Sequence, residues 1–210
     1  MPATNSPRSP GLPDSTRERI IDAATAEFSR YGIAGARMDR IAKQSRTSKE
    51  RLYAHFRGKE ALYAFVVTRE LALITEATQL DPTDLPGYAG RLFDHFAEHP
   101  EHFRMIAWGR LEMTEATAPD GEPTRAAATR KTEQLRRAQE AGHLDPAWDP
   151  VDILALVTQL ATTWTAQPEL TEIAARHAHD TTHTARRNAV TNAVQRIFPT
   201  ARPTGDGPPL

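Results

Sequence analysis

The chain has no cysteine among its 210 residues, which removes disulfides, thiol nucleophiles and thiolate metal sites in one step. It also lacks any apolar run approaching the roughly 20 residues that a membrane span requires, so no membrane partner is expected. Nothing at its start resembles a secretory leader: residues 1–13 are polar and carry Pro2, Pro7, Pro10 and Pro13 where a leader has an apolar stretch. The expected location is therefore cytoplasmic. No segment alternates apolar and polar residues with the period of two that marks a strand. A glycine-rich phosphate loop, a nucleophile motif and paired catalytic carboxylates are missing too, so no enzyme is expected and no cofactor is implied. There is no internal repeat and no sustained heptad.

What is present is the composition of an ordinary globular protein, 39% hydrophobic and 25% charged. The net charge of −1 conceals an asymmetry: residues 1–60 hold 12 Lys+Arg against 7 Asp+Glu, whereas residues 61–210 hold 14 against 20. A basic head on an acidic body suits a nucleic-acid reader with a separate regulatory part.

Helical spacing runs through the whole chain. After a disordered arm over 1–13, Ser15 and Glu18 have capping-box spacing, and Ile20, Ile21, Ala24, Phe28 and Tyr31 then repeat at three and four residues until Gly32 offers an end. Met38, Ile41 and Ala42 make the inner face of a short second helix. A polar turn follows at Ser45 to Thr47, and Ser48 is placed to cap a third helix whose Leu52 and Phe56 stand four apart. Arg57-Gly58 breaks that helix, and Lys59 opens a long fourth one to about Gln79. Beyond the Leu80–Pro86 connector, helices are predicted over 87–98, 101–117, 124–141, 150–166, 169–179 and 182–198.

Residues 37–62 have the layout of a helix-turn-helix. With Leu52 and Phe56 pointing inward, Glu50, Arg51 and Ala54 point most nearly outward, and Tyr53 and His55 stand on the flanks. Arg51 can bridge the two acceptors of a guanine edge, and Ala54 can touch a thymine methyl. Glu50 either accepts from a cytosine amino group or is a solvated charge that rejects wrong bases. Lys49, Tyr53, His55 and Lys59 sit where phosphates would be bonded, Lys59 beside the free N–H groups that open the fourth helix.

These elements resemble the N-terminal domain of the TetR family of bacterial transcriptional regulators. The residues that carry the resemblance are Ile41-Ala42, Ser48-Lys49, Leu52-Tyr53-Ala54-His55-Phe56, Lys59-Glu60-Ala61-Leu62 and the Phe28 to Gly32 helix end. Two positions depart from the family pattern. Its usual turn glycine falls at Arg46, which must then adopt a left-handed conformation at about 1 kcal/mol. Its usual threonine cap falls at Ala36 or Arg37. Arg37 and Arg46 both add positive charge beside the reading head.

The implied architecture is all-α: a three-helix helix-turn-helix DNA-binding domain (14–60) joined by a long helix to a larger helical ligand-binding and dimerisation domain (61–198), then a disordered tail (199–210). The resemblance implies a homodimer on a palindromic double-stranded DNA operator, released by a small-molecule effector whose identity the sequence does not name. It makes repression the leading reading. An activator, or a regulator without an effector, is the alternative on the same fold, and a helical metal-binding protein or enzyme the remote one. In the family that the chain resembles, the last long helices of two subunits form a four-helix bundle, and the best matches here are 150–166, apolar almost all round, and 182–198; an ordinary buried helix is the competing reading. The candidate effector pocket comprises Phe96, Phe103, Trp108, Leu111, Met113, Gln159, Leu160, Thr163 and Trp164, with Thr162 beside them; plain core packing is the competing reading for its apolar members. Of the histidines, His95, His99 and His102 are spaced for one helical face, but Pro100 is expected to carry His102 away. With His179 and His183 they read as solvated surface groups, so no metal ligand is assigned.

Overall fold

The computed structural model describes residues 16–113 and 123–199, and its regular elements are all helices. The expected arm, Ser15 of the capping box and the tail beyond Pro199 lie outside the described residues.

The first helix, α1 (Thr16–Gly35), buries Ile20, Ile21, Ala24 and Phe28 along one face. Tyr31, expected with them, is instead 39% exposed, and the Arg40 guanidinium lies 4.2 Å from its ring centroid. Gly32 does not end the helix. It forms a kink at φ 68°, ψ −177°, after which the helix resumes to Gly35. That φ belongs to the region glycine enters without strain, and the Trp108 and Glu112 side chains lie where a Cβ would project.

Three helices complete the head: α2 (Met38–Gln44), α3 (Lys49–His55) and the start of α4 (Lys59–Ala77). Ile41, Leu52 and Phe56 close its core with Phe28. The core continues without a gap into α4, where the Tyr63 ring meets Phe28 edge-on at 5.3 Å.

The body consists of α5 (Leu85–Glu98), α6 (Pro100–Glu112), α7 (Pro123–Glu140), α8 (Pro150–Ala166), α9 (Pro168–His177) and α10 (His183–Ile197). Local chemistry fixes their starts. Asp84 Oδ1 accepts from the Gly87 N–H, Asp149 Oδ1 from Val151 and Thr182 Oγ1 from Ala185, and prolines occupy the first turns of α5, α6, α8 and α9. α6 stops at Glu112 rather than at 117, residues 114–122 being outside the described set, and α9 stops at His177.

α1 packs along α6, and α5 packs against α8 and α10. The Tyr63 hydroxyl of α4 donates to the Met105 carbonyl of α6 at 3.0 Å, and Gly109 leaves room for that close approach. The Ala34 N–H at the end of α1 donates to Glu112 Oε2 at 2.6 Å. Head and body therefore meet through α4 and α6. No described helix is long and apolar enough to cross a membrane.

Pro100 has a different effect from the one expected. His99 caps both the end of α5 and the start of α6, so the chain turns sharply there and the first turn of α6 folds against the last turn of α5. His102 is thereby brought to His95, with its Nδ1 3.1 Å from His95 Nε2.

Candidate functional site

The head presents α3 on its surface. Ser48 Oγ accepts from the Arg51 N–H at 3.1 Å and starts the helix. Leu52 and Phe56 are buried, while Lys49, Glu50, Arg51, Tyr53, Ala54 and His55 are all exposed, Tyr53 by 44%. No acceptor engages the guanidinium groups of Arg37, Arg46 or Arg51 among the described residues, so their donors face solvent.

The turn before α3 depends on Arg46, whose φ of 54° makes it the one non-glycine residue with positive φ among those described. Its N–H donates to the Lys43 carbonyl at 3.2 Å and the Thr47 N–H to Ala42 at 2.9 Å. These are the paired bonds of a Schellman ending, in which the left-handed position usually carries glycine. Arg19 Nε of α1 donates to the Ser45 carbonyl at 3.2 Å and fixes the turn on the first helix.

The missing cap of α2 is supplied from a distance. Arg37 has extended backbone and no side-chain cap, but its N–H donates to Glu27 Oε1 at 2.9 Å. The same oxygen accepts from Arg40 Nε at 2.6 Å, and Glu27 is only 4% exposed. Sequence reasoning missed Glu27, because its partners lie across the Gly32 to Gly35 break, where helical periodicity carries no information.

Two predicted phosphate ligands have partners within the chain. Lys49 Nζ lies 2.7 Å from Asp39 Oδ1, and that carboxylate pushes the ammonium's pKa above its ordinary value. Lys59 Nζ donates to the Ala34 carbonyl at 2.9 Å. The Glu50 carboxylate is held below its usual range by its own backbone N–H and by Ser48, which ties it to the start of the helix. α4 opens at Gly58 without a side-chain cap, an arrangement that leaves the first N–H groups of a helix available to an anion.

A cavity of roughly 520 Å³ lies in the body among α4, α5, α6, α7 and α8. Leu71, Ile74, Leu92, Ile106 and Leu154 make most of its apolar wall. Phe96, Phe103, Gln159 and Thr162 also line it; Trp108, Leu111, Met113, Leu160, Thr163 and Trp164 do not. Trp108 lies against Gly32 of the head, Leu111 is 77% exposed, and Trp164 packs under the Arg186 guanidinium at 4.4 Å. Two polar lining residues had no sequence signal, because they are brought together from distant positions. Lys131 Nζ donates to the Tyr88 hydroxyl at 2.8 Å. Burial pushes the Lys131 ammonium below its ordinary pKa and the Tyr88 phenol well above its own.

Comparison with known proteins gives this arrangement a family. The profile described as "Bacterial regulatory proteins, tetR family" matches residues 20–66, and "Tetracyclin repressor-like, C-terminal domain" matches 84–196. The HTH-type transcriptional repressor SCO4008 of Streptomyces coelicolor is 35% identical over 161 residues, which cover 77% of this chain and 84% of that protein. The crystal structure of SCO4942 from the same species superposes with a TM-score of 0.79 at 59% identity, covering 88% of this chain and 99% of that one. The fatty acid degradation regulator FadR of Bacillus halodurans shares the fold, with a TM-score of 0.65 at 18% identity over 85% and 97% of the two chains. The chain belongs to the TetR family of bacterial regulatory proteins, DNA-binding regulators of transcription.

Proposed function

We propose that the protein is a cytoplasmic, homodimeric repressor that binds a palindromic operator through α3 and leaves it when a small molecule occupies the body cavity. The observation that carries this reading is the outward set on α3: a capped helix offers Arg51 and Ala54 to solvent beside the cations Arg37 and Arg46, while Leu52 and Phe56 hold it to the head. Arg51 and Ala54 read base edges; Arg37, Arg46, Tyr53, His55, Lys59 and the first N–H groups of α4 hold phosphates. One such helix spans too few base pairs for useful specificity, so a second copy supplies the other half-site. The dimer surface is assigned to α8 and α10, where Leu156 is 38% exposed although Ile153 and Val157 on the adjoining face of α8 are buried.

Repression follows from occupying a promoter. The effector acts through its differential affinity for the two body conformations. Its class is proposed from the cavity: an apolar molecule with an anionic or strongly accepting group that meets Lys131.

Selection of bound duplexes from random DNA, followed by mobility shifts at two salt concentrations, tests the reading. A recovered palindrome whose binding weakens steeply with salt is expected. Arg51→Ala should relax the base preference, whereas Lys59→Ala should weaken all sequences alike and flatten the salt dependence by about one unit of slope. Selection that recovers no palindrome would refute the proposal.

A further inference from the structure

The sharp turn at His99 assembles three imidazoles and two carboxylates at the junction of α4, α5 and α6. The rings of His95 and His102 stack at 5.3 Å and those of His99 and His102 at 5.0 Å. Glu101 Oε1 lies 3.5 Å from His99 Nδ1 and 3.9 Å from His102 Nε2. From α4, Glu70 Oε2 approaches the same His102 nitrogen to 3.1 Å. One ligand atom each from His99, Glu101 and His102 lies within 4.8 Å of the other two. Nitrogen and oxygen ligands bound at about 2.1 Å in a tetrahedron stand roughly 3.4 Å apart, so small side-chain rotations close the set on an ion.

We propose that His99, Glu101 and His102, with Glu70 as a fourth donor, bind a divalent transition-metal ion of the zinc or nickel class. Imidazole nitrogens beside carboxylate oxygens select such ions over magnesium or calcium, whose ligands are oxygens alone. The surroundings favour binding in two further respects. Glu70 is only 7% exposed, so its carboxylate is directed into the cluster rather than into solvent. The orientation of His102 is also set from outside. When its Nε2 binds an ion, the Nδ1 proton is donated to His95 Nε2, and a metal-bound histidine is ordinarily held by such a bond.

Access is open, since Glu70, Glu101 and His102 line a cleft of roughly 660 Å³ that also carries Asp22 and Arg30 of α1. A bound ion would tie Glu70 of α4 to the first turn of α6, the two helices through which head and body meet.

Equilibrium dialysis of the chelator-stripped, full-length protein against zinc chloride, and separately nickel chloride, tests the site by elemental analysis. About one ion per chain is expected, with affinity falling at least tenfold in His102→Gln and in His99→Gln and staying unchanged in His179→Gln. Glu101→Gln should weaken binding too. Circular dichroism of each variant controls for folding, and His99→Gln, which alters a half-exposed ring, decides the matter if His102→Gln fails to fold. No ion bound by the wild type, unchanged affinity in His99→Gln, or loss of binding in His179→Gln would each overturn the proposal. None of these readouts depends on the operator or on an effector.

Discussion

At the scale of single residues, Arg46 and Glu27 carry the head's departures from its family pattern. Arg46 holds the left-handed position of the turn at φ 54°, a conformation that costs a side-chain-bearing residue about 1 kcal/mol. Arg46→Gly should therefore stabilise the fold by up to about 1 kcal/mol in chemical denaturation. The same change should weaken DNA binding, with a salt slope shallower by about one unit, if the guanidinium meets a phosphate. Glu27 is different in kind, because its buried carboxylate serves both the Arg37 N–H and Arg40. Removing it strands both donors, so Glu27→Ala should cost about 2 kcal/mol of stability, measured by thermal or urea unfolding. The strain at Arg46 is legible in the sequence because a glycine is missing from a turn. The role of Glu27 is not, since only folding brings it to the second helix.

At the scale of elements, the sequence is informative wherever a helix is specified by its own caps and spacing. Leu52 and Phe56, the Ser48 cap and the bounds of α8 can all be read that way, because each rests on residues within one or two turns of one another. The cavity rests instead on pairs such as Tyr88 and Lys131 on different helices, and the apolar residues along a body helix divide among core, cavity and surface. Hence Phe96, Phe103 and Gln159 reach the cavity while Trp108 turns toward the head. The Pro100 reading failed for a related reason: ending a helix does not separate its side chains when the next helix folds back at once. For the cavity, Lys131→Met should lower stability by about 1 kcal/mol, since it removes the partner of the buried Tyr88 hydroxyl. It should also abolish any advantage of a medium-chain carboxylate over its neutral alcohol in releasing DNA, measured by fluorescence anisotropy of a labelled operator.

At the scale of the whole molecule, the proposed assembly of two chains rests on α8, whose Leu156 is exposed beside the buried Ile153 and Val157. Leu156→Glu should leave the helical content unchanged while shifting the protein to monomers in sedimentation. Operator affinity should fall by at least tenfold with it, because one head contacts one half-site.

The kinked end of α1 has a consequence for how the protein loses its structure. By sequence α1 belongs to the head, but it packs along α6 of the body, its Phe28 meets Tyr63 of α4, and the backbone after its kink is bonded to Glu112. No plane through the chain separates a reading module from a sensing module without cutting this helix out of one of them. The two are therefore expected to melt as one cooperative unit, seen as a single transition in calorimetry, so that loosening the body should cost the proposed DNA surface order as well as change its spacing.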